Sequence, residues 1–168
     1  MTIKAGDRLP EGQLRESTEF DPANGCPMNP HPVDVGETVK GKKIVIFGLP
    51  GAYTPTCSAK HVPGYVANFD KLKAKGVDEV WCMAVNDAFV MAAWGRDQNV
   101  DGKVRMMADG SADYTKKLGL EVDRTAAGMG MRSHRFALII EDGVVKDVAV
   151  EAPGKFEVSS AEAVLAKL

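Results

Sequence analysis

The chain has 168 residues, 45% hydrophobic and 26% charged, with 21 Lys and Arg against 23 Asp and Glu. That supplies the core of a globular fold and predicts one domain over 1–168. A net charge of −2 with scattered cations argues against nucleic acid or an anionic membrane as main partner, and no apolar run approaches the ~20 residues that span a bilayer.

The opening MTIKAGDRLP lacks the apolar segment of a secretory signal. The three cysteines, Cys26, Cys57 and Cys82, match neither a disulfide framework nor a zinc spacing. A reducing, cytoplasmic location is therefore expected, and no metal.

Residues 1–41 read as the least regular part. Strand-like pieces surround FDPANGCPMNPHP, where four prolines and a glycine prevent a long helix. KKIVIFG is a short apolar run of the kind that forms a buried central strand. Beyond it, Val62, Tyr65, Val66, Phe69 and Leu72 follow helical spacing, with Gly76 as the stop. VDEVWCMAVN predicts a second buried strand. Asp87 is placed to cap a helix AFVMAAWGRDQ, and KVRMMAD a third strand. Ser111 is placed to cap a short helix ending near Gly119. RFALII and VVKDVAV flank a hairpin turn at EDG, and SSAEAVLAKL opens with a capping box from Ser159 to Glu162. Strands alternating with helices and finishing in a hairpin imply an α/β fold, a mixed sheet with helices on both faces. A thioredoxin-like layer arrangement suits this order, among others.

Residues 47–61, FGLPGAYTPTCSAKH, place a cysteine where a strand ends and a helix begins. Cysteine is either a small core residue or a reactive one, and its surroundings decide which. Ligands of open α/β sheets bind beyond the carboxyl ends of strands, where this turn must lie. Pro50, Gly51 and Pro55 fix the turn, and a helix start favours a thiolate. A free cysteine is only about 3% thiolate at pH 7, so full ionisation gains at most roughly thirtyfold, near 2 kcal/mol. A fast thiol enzyme needs further groups that stabilise developing charge. Thr54 and the N–H groups of the first turn are candidates.

PGAYTPTC carries Pro-x-x-x-Thr-x-x-Cys at Pro50, Thr54 and Cys57. With PGAYTPTCSAKHVPGY, VNDAFVMAAWGRD and SHRFALIIEDG, residues 42–150 closely resemble the peroxiredoxin-5-like (type II) peroxiredoxins in consistent order. The resemblance implies a thioredoxin-like fold and a thiol peroxidase acting on hydrogen peroxide and alkyl hydroperoxides. It implies that Cys57 becomes a sulfenic acid, that Thr54 bonds thiolate and peroxide, that Pro50 shields the sulfur, and that Arg135 stabilises the thiolate. Arg132 is the second choice for that arginine. It also implies no metal or organic cofactor, and often a homodimer.

His61, four residues after Cys57, suggests either a Cys-His base or a supporting hydrogen bond, and the resemblance favours support. Cys82, alternating with Val80 and Ala84, reads as a packed strand thiol, and Cys26 as an exposed loop cysteine. Met83, Met91, Met106 and Met107 read as core; Phe89 and Trp94 as core or as an apolar collar. No cysteine follows Cys82, so recycling by an external thiol is expected: glutathione with glutaredoxin, or thioredoxin. The alternatives are glutaredoxin-like monothiol exchange, since CSAK lacks the second thiol of Cys-x-x-Cys, and a non-catalytic redox relay or chaperone.

Overall fold

The computed structural model describes residues 1–168. Four short strands come first, β1 (Gln13–Glu16), β2 (Glu19–Phe20), β3 (Pro27–Met28) and β4 (His31–Asp34), then a short helix α1 (Val35–Val39). Strand β5 (Lys43–Gly48) leads to a π-helical turn (Cys57–His61) that runs on as α2 (Val62–Ala67) and α3 (Phe69–Ala74). Next come β6 (Glu79–Ala84), α4 (Ala88–Asp97), β7 (Val104–Ala108) and α5 (Asp113–Leu118). Two hairpins follow, β8 (Glu121–Arg124) with β9 (Gly130–Ser133), and β10 (Phe136–Glu141) with β11 (Val144–Val150), and then α6 (Ala161–Leu165).

Seven strands form one sheet in the order β11-β10-β5-β6-β7-β1-β4. Strands β5, β6 and β7 are parallel, and the remaining pairings are antiparallel. The sheet is therefore mixed, as the element order implied. Because strand side chains alternate, the apolar run of β5 feeds two cores. Val45 and Phe47 join Cys82, Met91, Trp94 and Val164 on one face, under α2, α3, α4 and α6. Ile44 and Ile46 join Trp81, Met107, Val35 and Tyr114 on the other, under α1 and α5. Helices cover both faces, the thioredoxin-like arrangement. No helix is long and apolar enough to cross a membrane.

Several local expectations are corrected. The helix after Cys57 is not continuous: it breaks at Asn68, whose side chain donates to Gly64 O and to Glu162 of α6. The turn Cys57–His61 is π rather than α, with Val62 N donating to Cys57 O. Pro63 cannot donate to the Ala59 carbonyl and its ring crowds it, a conflict that the wider turn just before relieves. Ser111 does not cap α5. Ala112 stands at the cap in a left-handed conformation, and the buried carboxylate of Asp109 takes the N–H groups of Tyr114 and Thr115. Ser160, not Ser159, caps α6 by accepting from Ala163 N. Asp87 does cap α4, through Val90 N. Helix α1 and the β8–β9 hairpin were not expected.

Candidate active site

Strand β5 ends against β10, and the chain leaves it through a pinned loop. Gly48 is required there because the Phe136 ring lies where a Cβ would stand. Beyond the buried Leu49, the Pro50 carbonyl accepts from Arg132 Nη1 at 3.2 Å, and Ala52 N donates to Asn86 Oδ1 at 2.9 Å. The Tyr53 hydroxyl donates to Asp97 at 2.7 Å, and Ser58 N donates to Thr54 O at 3.0 Å to start the helix. The loop is thus tied to the turn after β6, to α4 and to β9, and Cys57 follows at a fixed point.

Cys57 has no exposed surface. Its sulfur accepts a hydrogen bond from Arg135 Nη2 at 3.3 Å, and Arg135 Nη1 lies 2.9 Å from His61 Nδ1. One guanidinium therefore spans both side chains. The opposite ring nitrogen, His61 Nε2, lies 3.0 Å from the Ser159 carbonyl. Arginine only donates and a carbonyl only accepts, so the two neighbours fix the tautomer: Nε2 carries the proton and Nδ1 is the acceptor. Burial first, then the Arg135 charge, lower the His61 pKa to about 3. The ring is neutral at pH 7, and its lone pair is occupied by arginine rather than directed at sulfur.

The same arrangement continues outward. Ser159 O also accepts from the Tyr65 hydroxyl at 2.8 Å, whose ring stacks on Phe47 with centroids 4.0 Å apart. Ser159 Oγ and the N–H groups of Glu157, Val158 and Ser159 all donate to Glu151 Oε2, at 2.7 to 2.9 Å. Burial pushes the Glu151 carboxyl up, but these four donors hold it below the usual carboxylate range. Glu151 is itself anchored, through its N–H, to the Arg135 carbonyl at 2.9 Å. The segment 151–159 thus closes a loop of contacts from Arg135 through Glu151 and Ser159 to His61. Phe156 covers it, with its ring edge on His61 and with Arg135 over its face.

Of the residues expected in the site, Cys57, Arg135 and His61 are brought into direct contact. Pro50 and Arg135 line one cleft. Thr54 differs from expectation: its hydroxyl donates to Gly51 O at 2.7 Å, within the loop. Arg132 does not reach the sulfur and instead holds the Met129 and Pro50 carbonyls. Cys82 is fully buried in the same core as Cys57, and burial pushes its thiol well up. Cys26 is exposed. Met83, Met91, Met106, Met107 and Trp94 are core, and Trp94 Nε1 donates to Ser58 Oγ; Phe89 is half exposed. Sequence reasoning missed Glu151, Phe156 and the carbonyl role of Ser159. The only signal was an acidic residue at the end of an apolar strand, which ordinarily marks a solvated end. No three His, Cys, Asp or Glu side chains are grouped to hold a metal ion.

A buried thiol held against arginine, at the end of a parallel strand in a thioredoxin-like sheet, defines a thiol-based redox enzyme. The Redoxin family model matches residues 4–165. Peroxiredoxin-2B of Arabidopsis thaliana is 45% identical over 166 residues, covering 99% of this chain and 98% of the relative. The structure of reduced Prx3 in complex with H2O2 from Vibrio vulnificus is 49% identical with a TM-score of 0.90, covering 99% of both chains. A Burkholderia cenocepacia structure described as a putative thioredoxin reductase is 60% identical with a TM-score of 0.94, covering 100% of this chain and 99% of that one. That description stays with the Burkholderia protein; here Ser58-Ala59-Lys60 follows Cys57, without the second thiol of a dithiol enzyme.

The chain belongs to the peroxiredoxins, in the type II, peroxiredoxin-5-like group. It is a thiol-dependent peroxidase with an antioxidant function, and it takes electrons from thiols rather than through a prosthetic group.

Proposed function

We propose that Cys57 is the peroxidatic sulfur and that Arg135 is its electrostatic partner. The 3.3 Å contact from Arg135 Nη2 to the sulfur carries this reading. The thiolate lone pair attacks the terminal oxygen of a hydroperoxide, the S–O bond forms as the O–O bond breaks, and two electrons leave sulfur. The departing oxygen takes a proton from solvent and leaves as water or an alcohol. Arg135 stabilises the anionic sulfur and the negative charge moving onto the leaving oxygen. Thr54 turns its hydroxyl from Gly51 O towards sulfur and peroxide, a rotation about one side-chain bond. Pro50 shields the sulfur from bulk water. His61 supports Arg135 without touching the reacting atoms.

The sulfenic acid is then reduced by an external thiol, glutathione with glutaredoxin or thioredoxin. The support is the burial of Cys82, mid-strand with its thiol pushed up, and the exposed loop position of Cys26, which leave no ready internal thiolate. This reading takes 1–168 as one peroxiredoxin domain in the cytoplasm, working as a homodimer. Exposed Phe89 and Tyr53, on α4 and in the Cys57 loop, give the dimer an apolar surface beside the site. Peroxide consumption by Cys57→Ser, with glutathione present, tests the assignment. Any retained turnover rejects it. Sedimentation equilibrium of Phe89→Glu tests the dimer, which should dissociate.

A further inference from the structure

The contacts of Arg135 face inward, to Cys57 and His61, but its side chain also lines a cleft of about 360 Å³ that opens to solvent. Pro50 and Thr56 also line it, with Lys60, Arg124, Lys155 and Glu157. Four cationic side chains thus line the cleft against two carboxylates, on a protein whose net charge is −2. One of the two, Glu151, is already occupied by donors from 157–159.

Most Lys and Arg side chains here have no carboxylate within 4 Å, and what sets this cleft apart is that four of them line one concavity. Lys40, Lys42, Lys43, Arg96, Arg105 and Lys167 each lie within 4 Å of a carboxylate, whereas Lys60, Arg124 and Lys155 have no such partner. Unpaired cations gathered in a concave site beside a reactive sulfur form an anion receptor. The volume is that of a small-molecule pocket, at the low end of the usual range of about 300 to 1,000 Å³. Glu157 adds one unpaired carboxylate among the three free cations. The complementary ligand is small and carries more than one carboxylate and one ammonium.

We infer that this cleft is the binding site for the reductant, a peptide thiol of the glutathione class. Lys60, Arg124 and Lys155 take its carboxylates, Glu157 takes its ammonium, and its cysteine is delivered at the Pro50–Arg135 wall. The inference rests on the reading that an external thiol reduces Cys57. The reductant thiolate attacks the Cys57 sulfenic sulfur, so an S–S bond forms as the S–O bond breaks. Hydroxide leaves and takes a proton to become water. A second thiolate attacks the reductant's sulfur in that mixed disulfide, releasing the Cys57 thiolate and the oxidised reductant.

The test uses the full chain oxidised with one equivalent of hydrogen peroxide, then mixed with glutathione, its diethyl ester, or 2-mercaptoethanol. The measured quantity is the rate of sulfenic acid loss for each thiol. In the native protein glutathione should be faster than its ester, and the advantage should shrink with salt. In Arg124→Ala/Lys155→Ala the rate ratio of glutathione to 2-mercaptoethanol should fall roughly fivefold, the loss of two partly exposed charge pairs. Lys4→Ala/Lys116→Ala, which removes two cations that do not line the cleft, should leave that ratio unchanged. Equal rates for glutathione and its ester, or an unaltered ratio in the cleft variant, overturn the cleft as a recognition site. If none of the three thiols, nor glutaredoxin or thioredoxin with its reductant, reduces the native protein, the external-thiol reading fails by itself. The cleft is then judged by calorimetric binding of S-methylglutathione, which must be present in the native protein and lost in the cleft variant.

Discussion

Arg135 bonds His61 through one guanidinium nitrogen at 2.9 Å while its other terminal nitrogen reaches the Cys57 sulfur at 3.3 Å. A lysine carries its donors on one nitrogen and lacks the planar fork that here reaches the two acceptors from separate nitrogens. Arg135→Ala should slow oxidation of Cys57 by peroxide about 100-fold or more, in the range of losing one charge-stabilising donor. Arg135→Lys should recover only part of that loss. Arg132→Ala should cost less, because its head holds the Pro50 and Met129 carbonyls rather than the sulfur. Stopped-flow oxidation of each variant, with circular dichroism to verify folding, ranks them. Equal losses at 132 and 135 would mean the arginine is misassigned.

His61 makes stability depend on pH. Its pKa is about 3 in the fold against about 6.5 unfolded, so between those values the unfolded chain binds the extra proton. This contribution is fully present above pH 6.5 and is lost as pH falls towards 3. From pH 7 to pH 5 the native protein should lose about 2 kcal/mol through this residue. His61→Gln, which keeps a donor and an acceptor, should flatten that part of the curve in urea titrations. An unchanged slope would place the ring in contact with water.

Glu151 holds four donors on one oxygen, and its replacement leaves them without an anion. Glu151→Gln should cost about 2 kcal/mol of stability, as expected for hydrogen bonds to a buried charge. It should also loosen residues 152–158, seen as faster amide exchange there than in β5. Protection equal to the native protein would show that the loop holds without the carboxylate.

Cys26→Ser/Cys82→Ser should keep turnover supported by glutathione or glutaredoxin. Intact mass after one equivalent of peroxide should show one added oxygen, not the loss of two hydrogens. Loss of turnover in a folded double variant would make a bridge from Cys57 to Cys82 or Cys26 the leading account. Such a bridge requires Cα atoms within about 7 Å.

The sheet, the two faces of β5 and the placement of Cys57 were legible because each depends on a local pattern: an apolar run, a period of two, a turn before a helix. What escaped was decided by distant contacts. Ser159 satisfies the rule for a capping box, yet Glu151 captures its hydroxyl and Ser160 takes the cap. Ser111 loses its expected role to a carboxylate two residues earlier. Asn68, at the helix break, bonds Glu162, 94 positions away. Only the resemblance separates Arg135 from Arg132, since periodicity treats the two alike.

The absence of any exposed surface on Cys57 divides the catalytic cycle by temperature. A peroxide is slender and asks only a small displacement of the packing around the sulfur. A thiol must bring a carbon chain to the same atom, which asks a larger displacement of the packing around the sulfur. Oxidation should therefore have a shallow Arrhenius slope and reduction a steep one, since local opening of packed structure carries a large activation enthalpy. On cooling, the protein should accumulate in its oxidised form even with peroxide scarce and thiol abundant.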